Sequence, residues 1–151
     1  MEIREISDDE LKDEWYRRFN LPEGTVIKNA TQAVDHLRQF FVEAKDKELF
    51  VMIYLSSKNA VLGTSILFEG SVQSSAIYPR ELIKSVLLEH PGTAGVIISH
   101  NHPSGQLEPS ASDRAVTRKL KTALESIDID LLDHLILGKE YFSFADHNLL
   151  N

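Results

Sequence analysis

The chain contains no cysteine, which excludes disulfides, thiolate metal ligands and a cysteine nucleophile together. The same absence fits a reducing compartment. The charged start Met1-Glu2-Ile3-Arg4-Glu5 lacks the apolar core of a secretion signal, so a cytoplasmic protein is expected. No stretch approaches the roughly 18 apolar residues that span a bilayer, so no membrane association is expected either. Positive charge is scarce: 16 Lys and Arg stand against 23 Asp and Glu, for a net charge of −7. No run of basic residues offsets this, and an acidic surface repels phosphate backbones, so generic nucleic-acid binding is disfavoured. Internal repeats and low-complexity tracts are absent.

What is present is the composition of an ordinary globular domain, with 42% hydrophobic residues in a chain of 151. Residues 1–24 are polar. Leu11, Trp15 and Phe19 form a stripe on a helix over Asp8–Phe19, read as an appended arm or packing helix. The main domain is placed at residues 25–151. Val34, Leu37, Phe41 and Val42 predict a helix over Thr31–Lys45, capped by Asn29 or Thr31. Strands are predicted at Leu49–Leu55, Val61–Phe68 and Ser71–Ile77. A helix follows from Pro79 to about Glu89, with Leu82, Ile83, Val86 and Leu87 inward, and Pro91-Gly92 ends it. Gly95–Ser99 reads as a short buried strand, 103–110 as a loop, Ala111–Ser126 as a helix, and Ile129–Leu137 and Tyr141–Phe144 as strands. The fold class this order predicts is α/β, a mixed β-sheet flanked by helices.

The chemically informative segment runs from Ser99 to Asp113. Residues two apart in a strand leave the same side, so His100 and His102 project together from the end of the Gly95–Ser99 strand. Pro103 cannot continue a central strand, which puts the pair at a strand terminus. Two neutral imidazoles at this spacing suit a borderline metal such as zinc. Asp113 falls in the first turn of the following helix and is able to swing toward both rings. Three protein ligands with a vacant fourth position describe a hydrolytic zinc site, and the ion brings the pKa of a bound water to about 7. A further carboxylate is then needed to move the proton, and spacing alone selects none. Ser110-x-x-Asp113 is also a good capping box, compatible with the metal reading. Asp133 and His134 precede a buried run; His134 reads as a satisfied structural histidine, with orienting a ligand or touching substrate as alternatives. His36, His90 and His147 have no partner at useful spacing and are read as surface residues.

His-x-His, seven residues, Ser, two residues, Asp resembles the JAMM signature of JAB/MPN+ metalloproteases. The wider text is most similar to RadC-type proteins. The matching pieces are Glu48-Leu49-Phe50, Ser57-Lys58-Asn59-Ala60-Val61, Pro79-Arg80-Glu81, His100-Asn101-His102-Pro103-Ser104-Gly105, Pro109-Ser110 and Asp133-His134-Leu135-Ile136-Leu137-Gly138. The resemblance implies His100, His102 and Asp113 as ligands of Zn2+, Glu48 as the acid/base and Ser110 as a stabiliser of the oxyanion. It also implies a cytidine-deaminase-like layering of the JAB/MPN kind, and a peptide or protein-conjugate substrate. Deaminase chemistry itself is not expected, since its cysteine ligands and His-x-Glu motif are missing. Two departures stand out. The helix-hairpin-helix region usual ahead of this domain does not fit residues 1–24, and the loop reads Gln106-Leu107 where the family has Asp-Pro. The expected activity is that of a zinc-dependent peptidase or isopeptidase. The alternative is a metal-bearing, non-catalytic module associated with DNA repair or recombination proteins. A homodimer is compatible with the sequence, which does not itself fix the oligomeric state.

Overall fold

Alternation within Glu48–Leu55 sends Phe50, Met52 and Tyr54 to one side and Leu49, Val51, Ile53 and Leu55 to the other, and every one of them is buried. A strand covered on both faces lies inside a sheet with a helical layer on each side. In the computed structural model, which describes residues 5–44, 46–70 and 77–151, that arrangement is found. The elements are α1 (Asp8–Phe19), α2 (Ala30–Phe41), β1 (Glu48–Leu55), β2 (Val61–Gly70), α3 (Pro79–Lys84), β3 (Gly95–Asn101), α4 (Ala111–Glu125), β4 (Asp130–Leu137) and β5 (Tyr141–Ser143).

The five strands lie in the order β2-β1-β3-β4-β5. Only β3 and β4 run parallel, joined by the crossover helix α4; the other pairings are antiparallel. Phe50, Met52, Tyr54, Val96 and Ile98 pack under α3 and α4 with Val116, Leu120 and Leu124. Leu49, Val51, Ile53, Ile97 and Leu135 pack under α2 with Ala33, Val34 and Leu37. The expected mixed sheet between helices is therefore the observed one.

Several boundaries moved. The Asn29 side chain, not Thr31, accepts from the Gln32 amide and starts α2 at Ala30, and the helix stops at Phe41, short of the expected Lys45. The expected strand Ser71–Ile77 falls almost wholly outside the described residues. After Pro79–Lys84 the chain widens into a π turn over Ser85–Glu89. Inserting a residue into the helical spiral rotates the following side chains, so Leu87, expected inward, is exposed.

The arm packs as its stripe suggests. Trp15 lies 4.6 Å from Phe19, centroid to centroid, and its Nε1–H donates to the Asp35 carbonyl of α2 at 2.6 Å. His36, read as a surface residue, is buried. Its Nδ1 accepts from the Leu21 amide at 2.9 Å, so Nε2 carries the proton and donates to Thr64 Oγ1 at 2.8 Å. These partners come from the α1–α2 connection and from β2, which helical spacing cannot reveal. His90 is also corrected: half-buried, it stacks on Tyr54 at 3.8 Å. His147 is exposed as expected. Among the described residues no helix is long and apolar enough to cross a membrane.

Candidate metal centre

The C-terminal end of β3 delivers the two histidines. His100 opposes Phe50 of β1 and shares the α4-facing side with Ile98, while His102 lies just past the strand end. Pro103 breaks the ladder, and the tight turn from the His102 carbonyl to the Gly105 amide (2.8 Å) follows, with Gly105 at φ +83°. The loop folds back over Gly138, where a Cβ would sit 2.9 Å from the Leu107 side chain. This places the Gln106 carbonyl 2.7 Å from His102 Nδ1. The contact uses backbone, so the Gln106-Leu107 departure leaves it intact.

The loop ends in the capping box. Ser110 Oγ accepts from the Asp113 amide at 3.0 Å, and Asp113 Oδ2 accepts from the Ser110 amide at 2.8 Å. That reciprocal pair turns the Asp113 carboxylate back across the helix start toward the rings. His102 Nε2 lies 2.9 Å from Asp113 Oδ2, His100 Nε2 lies 3.1 Å from Asp113 Oδ1, and the two Nε2 atoms are 3.0 Å apart. Each residue offers one ligand atom, and these atoms all lie within 4.8 Å of one another. His100 and Asp113 are buried, and only His102 retains appreciable exposure, at 15%.

The fixed neighbours assign the ring protons. A carbonyl only accepts, so His102 Nδ1 carries its proton and donates it to Gln106, leaving Nε2 bare. Thr117 Oγ1 donates to the Asp113 carbonyl at 2.7 Å, and so receives the Nδ1–H of His134 at 2.6 Å. His134 Nε2 is then an acceptor and takes the Nδ1–H of His100 at 2.7 Å. With His100 Nδ1 the donor, its Nε2 is bare as well. Two lone pairs and a carboxylate thus face one another with no hydrogen left among them. With both rings neutral, a cation shared by the three donors satisfies that arrangement; without one, a proton taken up on a ring Nε2 does so. Ligands about 2.1 Å from a tetrahedral zinc are roughly 3.4 Å apart, close to the measured spacings, so the donor set fits a metal ion.

The electrostatics show the same pull toward positive charge at this point. Hydrogen bonding to Asp113 raises the His102 pKa, with burial opposing it and Gln106 and the charges of Asp113 and Glu48 adding to it. Burial alone would raise the Asp113 carboxyl; the adjoining His100 and His102 rings, when they carry a proton, and the Ser110 amide instead hold it well below the usual carboxylate range. Complete burial pushes His134 well below its ordinary value, which keeps it neutral.

Glu48 opens β1, two residues before Phe50 and therefore on the same face as His100. It is half-buried and near enough for its charge to act on His102. The sequence reading missed what holds it. Asn101, the residue between the two histidines, turns to the opposite face; its Oδ1 accepts from the Leu49 amide at 2.8 Å and its Nδ2 donates to the Lys47 carbonyl at 2.9 Å. Both neighbours of Glu48 are thereby tied to β3. Thr117 was likewise missed; its only sequence signal is its place four residues after Asp113 on α4. Beside His102 a cleft of about 420 Å³ opens between Trp15, Phe41, Val42, Pro103 and Leu137.

A mixed sheet between two helical layers, carrying a His-His-Asp set able to hold a metal at the end of a central strand, defines a domain of the JAB class. The chain belongs to the RadC family: the RadC-like JAB domain matches residues 27–149. It is 42% identical to a UPF0758 protein of Janthinobacterium sp. (strain Marseille) over 81% of this chain and 54% of that protein. A UPF0758 protein of Shewanella denitrificans is 41% identical over 89% of this chain and 59% of its own length. A third, from Pseudoalteromonas translucida, is 41% identical over 82% and 55%. The chain spans between a half and three fifths of the length of these curated relatives.

Proposed function

We propose that this domain is a zinc-dependent hydrolase that cuts an amide bond in a peptide or protein conjugate. The observation that carries the reading is the convergence of His100 Nε2, His102 Nε2 and the Asp113 carboxylate around one point. Zinc bound there supplies a Lewis acid that polarises a carbonyl and makes water nucleophilic near neutral pH. His100, His102 and Asp113 hold it through three donors, two of them buried, so solvent and substrate approach from the His102 side. Glu48 accepts the proton of the attacking water and hands it to the leaving nitrogen. The Ser110 hydroxyl accepts from Asp113, which leaves its own hydrogen free to donate to the oxygen that gains negative charge.

The deciding experiment pairs metal analysis with turnover. The parent chain is expected to carry about one zinc, and Glu48→Gln to keep that zinc while losing roughly 10²–10⁴-fold in amide hydrolysis. A Glu48→Gln protein as active as the parent removes Glu48 from the mechanism. A zinc-loaded parent that cleaves no amide in a broad panel of peptides and conjugates favours the non-catalytic module instead.

A further inference from the structure

We propose that Thr117 and His134 form a directional relay that presets the tautomer of His100, making them positioning residues of the metal centre. The inference rests on the reading of His100 as a ligand and adds what makes it competent. The direction starts in the backbone. The Asp113 carbonyl has no hydrogen to give, so the Thr117 hydroxyl must point its proton there. Its lone pair is left for His134 Nδ1–H, and His134 Nε2 is left to receive His100 Nδ1–H. Had the hydroxyl pointed the other way, every proton in the chain would shift by one place. His134 would donate from Nε2, and the His100 proton would sit on Nε2, in the position of the metal bond. One hydroxyl rotor thus separates a ligand from a blocked ring.

Packing keeps the relay from rearranging. His134 is wholly buried, with its ring stacked on Phe144 at 4.5 Å and lying edge-on to Phe50 at 5.8 Å. Asp133 secures the backbone beneath it. Its Oδ1 accepts from the His134 and Ala145 amides and its Oδ2 accepts from the Ser143 hydroxyl. The relay also joins two ligands that are far apart in the chain, since it begins at the main chain of Asp113 and ends at the ring of His100. Movement of α4 is therefore felt at both. Such outer partners commonly govern roughly 10–100-fold in metal affinity.

The test uses the full chain and zinc alone. Long-range ¹H–¹⁵N correlation NMR reads the ring tautomers, and competition with a chromogenic chelator reads affinity. The parent is expected to show His134 protonated on Nδ1. Thr117→Val, nearly isosteric, is expected to bind zinc roughly 10–100-fold more weakly, with the His134 proton moving to Nε2. Thr117→Ser, which keeps the hydroxyl, is expected to recover most of the loss; so is His134→Gln relative to His134→Leu. A parent ring protonated on Nε2, or a Thr117→Val chain binding zinc as tightly as the parent, overturns the relay. A parent that takes up no zinc overturns the metal centre itself, whereas absence of hydrolysis alters neither readout.

Discussion

Asn101 illustrates how one side chain serves the site without facing it. Its amide makes two bonds to the main chain on either side of Glu48, so the strand that carries the carboxylate is registered against the strand that carries the histidines. Asn101→Ala removes both bonds and leaves the amide of buried Leu49 without its partner, which costs about 1–3 kcal/mol. The expected outcome is at least a tenfold fall in hydrolysis with zinc affinity within about twofold of the parent, because the loss falls on orientation of Glu48 and not on the ligands. Steady-state kinetics beside a chelator titration check it. Equal losses in both readouts would place Asn101 in the metal centre proper.

At the scale of elements, His36 joins the α1–α2 connection, α2 and β2. The Leu21 amide needs a bare Nδ1, so protonating this ring sacrifices a buried hydrogen bond. Burial accordingly lowers the His36 pKa to about 4. An unfolded chain takes up this proton near pH 6.5, before the native one does. The stabilising effect of neutral His36 is thus full above about pH 6.5 and is lost as pH falls toward 4, where the native ring also titrates. A difference of this size amounts to about 3 kcal/mol. Urea unfolding between pH 7 and pH 4.5 is expected to show stability falling with pH, with a shallower fall in His36→Gln. An identical slope in that variant would assign the acid sensitivity to other groups. The helical spacing of α2 put Val34 and Leu37 inward in agreement with the structure, yet left His36 to be read as a surface residue, because its burial depends on its contact with Thr64 of β2.

For the whole molecule, a metal bound at this point would tie the sheet to α4. His100 arrives on β3 and Asp113 on α4, so an ion held between them resists separation of sheet and helix. Zinc at about 100 times its dissociation constant stabilises by about 2.7 kcal/mol, which for a chain of 151 residues raises the melting temperature by roughly 5–10 °C. Chelator is expected to abolish the shift in the parent and to have no effect on His100→Ala. A parent indifferent to both would leave the three donors without a cation.

By itself the sequence determined much of what depends on neighbours along the chain, though not the end of α2 or the π turn that exposes Leu87. Strand periodicity put His100 and His102 on one side, Pro103 ended the strand, and Ser110 with Asp113 started the next helix with its carboxylate turned back. Alternation and helical stripes were enough for the α/β class. Only the tertiary structure decided which distant residues meet. It set Glu48 on the face of His100, tied it through Asn101, and brought Thr117 and His134 together behind the ring. Those encounters are set by sheet order and register, which arise when both faces of β1 and β3 are buried at once, and no local pattern carries that information.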